Sequence, residues 1–91
     1  MDFEWDENKN ATNITKHKID FADVPAVFKS AILIDYDDRQ DYGEDRWIGT
    51  GLLKDIVVIV VFTEPRKGLL RIVSARKANR NEQERYYEKI I

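Results

Sequence analysis

The 91-residue chain predicts an α+β fold, an antiparallel β-sheet with helices packed on it, in the order β-α-α-β-β-β-β-α. Three observations predict it. Residues 31–78 hold successive strand-patterned runs joined by short turns, and short links between neighbouring strands favour antiparallel pairing. Residues 56–62, Ile-Val-Val-Ile-Val-Val-Phe, are apolar at every position, as a central strand covered on both faces must be. On either side of these runs lie segments with helix caps and helical spacing. A chain of this length has room for one core, so residues 1–91 read as one domain.

Phe3 and Trp5 alternate with Glu4 and predict a very short first strand or an apolar anchor. Asp6 is placed to cap a helix over 7–17, with Glu7 at its positive end. Propensity in that helix is poor: Asn8, Asn10, Thr12 and Asn13 stand where strong helix formers would serve better, and only Ala11 and Ile14 offer apolar contacts. Lys9, Asn13 and Lys16 fall on one face with His17 beside them. That row either tracks a phosphate backbone or is the solvated side of a thin surface helix.

Asp20 and Asp23 introduce a second helix in which Phe21, Val24, Val27 and Phe28 recur at helical spacing. Pro25 pushes its start toward Asp23, into the first turn. A strand over 31–36 follows, then an acidic turn over 37–45 with Gly43 as its bend. Residues 46–53 alternate as the next strand, where Gly49 and Gly51 predict a bulge or a close neighbour. Lys54-Asp55 connects it to the central strand, and Glu64-Pro65-Arg66-Lys67-Gly68 turns the chain into the last strand, over 69–78. Asn79, with Glu82 three residues on, starts the final helix, which carries Tyr86, Tyr87, Ile90 and Ile91.

The chain has no cysteine, which excludes a disulfide framework and a thiolate zinc site. No apolar run approaches the ~20 residues that span a bilayer, and the first residues lack the plan of a signal peptide, so a cytoplasmic protein is expected. The net charge of −2 conceals a division. Residues 1–45 carry twelve acidic side chains against five basic, whereas residues 46–91 carry ten basic against five acidic. Residues 66–80 hold six basic side chains and no acidic one. A local patch of this kind binds phosphate even on an acidic protein, unless folding lays the acidic half against it. Along the last strand, Leu70, Ile72, Ser74 and Arg76 share one face, and Arg71, Val73, Ala75 and Lys77 share the other. Arg76 alone reads as a solvated strand end; its rigid fork of donors also suits a phosphate. The carboxylates between Asp35 and Asp45 match no cation-loop spacing, and a solvated turn is the simpler reading.

Three blocks of residues carry a resemblance to a known family. They are Phe3-x-Trp5-Asp6-x-x-Lys9-Asn10-x-x-Asn13-x-x-Lys16-His17; Gly43-Glu44-Asp45-Arg46; and Arg71-Ile72-Val73-Ser74-Ala75-Arg76-Lys77-Ala78 with Glu82 and Tyr86. In order and spacing the chain resembles the BrnT family of toxins over nearly its whole length. It departs at Lys18, where the family commonly has Gly, and at Pro25, near the start of the second helix. The resemblance implies a RelE-like fold and ribonuclease activity. It also implies neutralisation by a BrnA-type antitoxin with a ribbon-helix-helix domain, and operon repression by the complex, which alone would meet operator DNA.

Metal-free RNA cleavage needs the 2′-OH deprotonated, the phosphate stabilised and the leaving oxygen protonated. Under this resemblance His17 is the candidate for proton transfer near neutral pH, unless it only complements the end of its helix. Arg46 and Arg76 become the phosphate clamps, and Lys9, Lys16 and Lys77 hold flanking phosphates. Tyr86 stacks on a base or donates a hydrogen bond, unless it belongs to the core. Glu44 is a general base or, more simply, orients Arg46. No cofactor and no metal are expected. The competing reading is a nucleic-acid-binding or regulatory module without catalysis.

Overall fold

The computed structural model describes residues 1–90, so the expected role of Ile91 in the last helix lies outside the described residues. Strand β1 (Asp2–Glu4) leads into helix α1 (Glu7–His17); a 3-10 turn (Phe21–Asp23) then runs into the four-residue helix α2 (Val24–Val27). Strands β2 (Leu33–Tyr36), β3 (Trp47–Leu53), β4 (Ile56–Arg66) and β5 (Leu69–Lys77) follow, and helix α3 (Arg80–Ile90) closes the chain.

The five strands form one sheet in the order β1-β5-β4-β3-β2. β2 to β5 make the antiparallel meander that the short links predict. The sheet as a whole is mixed, which corrects the expectation of a purely antiparallel one: β1 pairs parallel with β5, Phe3 opposite Leu70. Nearly the whole chain separates these two strands, so no short link dictates their direction. β4 runs past Pro65 to Arg66, and the bend to β5 is confined to Lys67 and Gly68, with Gly68 at φ 85°. A register shift between Thr63 and Arg66 accommodates the proline, which has no N–H for the ladder.

Where the chain's length suggested room for one core, each face of the sheet has its own. On one, Val58, Val60, Phe62, Leu70, Ile72 and Ala75 pack against Phe21, Val24 and Val27. On the other, Val57, Ile59 and Ala78 pack against Tyr86 of α3. The apolar run in β4 serves both. Gly51 is one of the close approaches that the paired glycines foretold: a Cβ there would sit 2.9 Å from Ser30 Oγ and 2.9 Å from Val27 Cγ1.

Helix α1 docks by polar side chains, which its composition disguises. Asp6 caps it, accepting from the backbone N–H groups of Asn8 and Lys9. Asn10 and Asn13 are its buried residues, while Ile14 is exposed. Asn10 Nδ2 donates to Asp20 Oδ1 at 2.9 Å, and its Oδ1 accepts from Phe21 N–H at 2.8 Å. Asn13 Nδ2 donates to the carbonyls of Ile19 and Ala75, each at 2.9 Å, and Asn13 Oδ1 accepts from Ala75 N–H at 3.1 Å. β1 covers only the first residues of β5; beyond it, the amide of Asn13 makes the two bonds to Ala75 that a neighbouring strand would make. Asn13 therefore leaves the proposed phosphate row and becomes part of the framework that holds Lys9, Lys16 and His17 against β5.

Candidate nucleic-acid interface

Lys9, Lys16 and His17 line one cleft of about 360 Å³ with Asn8, Thr12, Asn13, Val73 and Ser74. The cleft lies between α1 and β5, at a register shift: Val61 pairs with Ser74 but Phe62 with Ile72, leaving Val73 unmatched. Such a bulge re-aims the strand's side chains, which corrects the expected common face: Leu70 and Ile72 enter one core, whereas Ser74 and Arg76 stand on the other face.

Arg46 and Arg76 lie outside the lining of this cleft, on the sheet face that carries α3. Arg76 pairs with Ile59, whose side chain belongs to the core beneath α3. Arg46 directly precedes Trp47, which packs in the opposite core, so alternation puts Arg46 on the α3 face. Along this face the register gives two further rows: Asp35, Ile48, Val61 and Ser74, then Thr63 and Arg71 at the level of Arg46. Ser74 thus belongs both to the lysine-histidine cleft and to the row between the two arginines, which makes the cleft and the arginine face contiguous.

The guanidinium groups are held in defined poses. Arg76 Nη1 and Nη2 donate to Glu82 Oε1 and Oε2, both at 2.8 Å. This pairing raises the pKa of Arg76 and lowers that of Glu82. Arg46 lies over the ring of Tyr42, with its central carbon 4.0 Å from the centroid, and its Nε stands 3.7 Å from Glu44 Oε2. That separation is too long for a hydrogen bond. Arg46 Nε and, one strand away, Thr63 Oγ1 are both buried without a hydrogen-bond partner.

Two candidates are elsewhere. Lys77 points to the opposite face and lines a separate cavity of about 200 Å³ with Lys18 and Lys54. Tyr86 is 1% exposed and its hydroxyl donates to Ala31 O at 2.6 Å. This corrects its expected role as a stacking residue: a buried ring with its only donor engaged is a core anchor for α3.

The acidic segment is a structured turn, and several of its carboxylates have partners. Asp35 pairs with Arg85, Asp45 accepts from Tyr36 Oη at 3.0 Å, and Asp41 accepts from Gly43 N–H at 2.9 Å. Asp37 takes Arg39, a cation that inspection of the sequence passed over amid six neighbouring acids.

The profile described as "Ribonuclease toxin, BrnT, of type II toxin-antitoxin system" matches residues 5–82. The chain belongs to the BrnT family. It is also similar to a solved structure, the 1.1 Å crystal structure of the Brucella abortus ribonuclease toxin BrnT. The two share 32% sequence identity and superpose with a TM-score of 0.69, covering 88% of this chain and 99% of that one. No protein with a curated description matches significantly. BrnT membership makes this chain a toxin of a type II toxin-antitoxin system, a class that pairs each toxin with an antitoxin.

Proposed function

We propose that the protein is a metal-independent endoribonuclease that cuts RNA by attack of the 2′-OH on the adjacent phosphate. The observation that carries this reading is that Arg46 and Arg76 share one face of the sheet, continuous through Ser74 with the Lys9–Lys16–His17 cleft. In the reaction the O2′–P bond forms and the P–O5′ bond breaks. The proton of the 2′-OH passes to a base, and O5′ receives one. The products are a 2′,3′-cyclic phosphate and a 5′-hydroxyl. Arg46 and Arg76 offer forked donors to the charge that develops on the phosphoryl oxygens. Lys9 and Lys16 hold flanking phosphates, and His17 is the group suited to move a proton near neutral pH.

Inhibition of translation in the cytoplasm follows from loss of RNA. A BrnA-type antitoxin with a ribbon-helix-helix domain would neutralise the toxin, and the complex would repress its own operon. The RelE-like assignment of the fold belongs to the same reading. Purified protein incubated with single-stranded RNA in EDTA should release fragments ending in 2′,3′-cyclic phosphate. Metal-dependent cleavage, or toxicity in cells without any cleavage, overturns the mechanism.

A second reading, a nucleic-acid-binding module without catalysis, is favoured by one observation: His17 and the two arginines do not line one cleft. RNA retained intact by the purified protein would select it.

A further inference from the structure

The turn after β2 contains a device that the reading above leaves unused. Asp37 N–H donates to Arg46 O at 2.8 Å, so the β2–β3 ladder continues one step beyond the strands. That step puts the side chain of Asp37 on the face of Arg46. The Asp37 side chain is 0% exposed, whereas that of its partner Arg39 is 60% exposed. Arg39 Nε donates to Asp37 Oδ1 at 2.7 Å and Nη2 donates to Oδ2 at 2.7 Å. Arg39 N–H adds a third bond to Oδ1 at 3.3 Å. Two of the five guanidinium donors are engaged, and three remain for another acceptor.

Burying a carboxylate carries a desolvation penalty that its partner must compensate, and an arginine on a solvated turn needs no such support. What the burial provides is direction: the buried acid fixes one edge of the fork and leaves the other facing out. The neighbours say where it faces. Arg39 lies close enough to Arg76 for its charge to oppose the rise that Glu82 causes in the pKa of Arg76. Tyr42, whose ring carries Arg46, also favours the charged form of both Asp37 and Arg39.

We propose that Arg39 is a further phosphate-binding residue of the arginine face, completing a trio with Arg46 and Arg76, and that Asp37 is the residue that positions it. The proposal rests on the reading of this face as an RNA site, and the ligand group is a backbone phosphate of single-stranded RNA.

The test uses the full chain, a cleavable RNA and its non-cleavable 2′-O-methyl analogue. Arg39→Ala should weaken binding of the analogue several-fold and lower the slope of log K against log salt by about 0.7, the loss of one phosphate contact on a single strand. Arg39→Lys should keep that slope and lose kcat, because an ammonium has no fork. Asp37→Asn should lower kcat with little loss of affinity, and that effect should vanish when Arg39→Gln is present as well. This last comparison separates positioning from a merely structural role. The double variant Asp37→Asn with Arg39→Gln leaves no unpaired charge, so it remains informative if Arg39→Ala unfolds. Unchanged slope, affinity and kcat in folded Arg39 variants, with wild type cleaving RNA, overturn the proposal. Should wild type bind the analogue but cleave nothing, the nuclease reading fails, and the salt slope still decides the role of Arg39.

Discussion

One carboxylate, that of Glu82, accepts both forks of Arg76 at 2.8 Å and also the backbone N–H of Asn79 at 2.8 Å. Asn79 Oδ1 in turn accepts from Glu82 N–H at 2.9 Å. The capping box that starts α3 is thus also the clamp that holds the Arg76 guanidinium. Glu82→Ala should cost about 1 kcal/mol from the cap and also release Arg76. Glu82→Gln keeps an acceptor for Asn79 but breaks the charged fork. It should unfold near the wild-type denaturant concentration and still lose kcat in a single-turnover assay, and Arg76→Ala should abolish cleavage in a folded protein. Equal activity for wild type and Glu82→Gln would detach the cap from the chemistry.

The acid limb of stability should report on Asp37. Hydrogen bonds from Arg39 hold its pKa at about 2, below the ordinary 3.8. Because the folded-state pKa is the lower one, the unfolded chain takes up this proton first. The stabilisation is therefore complete above pH 4 and lost as the pH falls toward 2. Thermal unfolding between pH 4 and pH 2 should show a shallower decline for Asp37→Asn than for wild type.

Asn13 carries the junction of α1 with β5. Asn13→Ala strands the N–H and C=O of Ala75 and the C=O of Ile19, and should cost about 2–4 kcal/mol in urea denaturation, at about 1–3 kcal/mol for each buried group left unsatisfied and partly rehydrated. Asn13→Asp should do at least as much damage, since a carboxylate cannot donate to the two carbonyls. A variant as stable as wild type would mean that the helix is held by something else.

The cleft and the opposite face should respond differently to loss of charge. Lys16→Ala should weaken RNA binding and flatten its salt dependence, whereas Lys77→Ala, on the other side of the sheet, should change either much less. His17→Ala should lower kcat by about 10²–10⁴, the range of a proton-transfer group, with affinity for a non-cleavable RNA retained.

These residues also show where reading the sequence succeeds. Strand positions were legible because alternation and the all-apolar run of Ile56 to Phe62 leave few ways to bury them. The Arg76–Glu82 relation was legible in half: the spacing from Asn79 to Glu82 announced a cap, but nothing local said that a strand residue would share it. Asn13 was misread because polar residues on a helix ordinarily face water, and its use as a substitute strand depends on where β1 stops. Arg39 was hidden by composition, since a cation among acids suggests neutralisation, and only the burial of Asp37 shows that one acid serves to aim it. Tyr86 was open to two readings until the carbonyl of Ala31 was found beside its hydroxyl.

The way α1 meets β5 has a consequence for behaviour at high concentration. On that margin the sheet offers a three-residue strand and then a helix whose asparagine has already taken the next backbone groups. Growth of a sheet from molecule to molecule needs two receptive margins on every copy. Among the described residues the margin along β1 and β5 is thereby short and interrupted, a poor template for such growth.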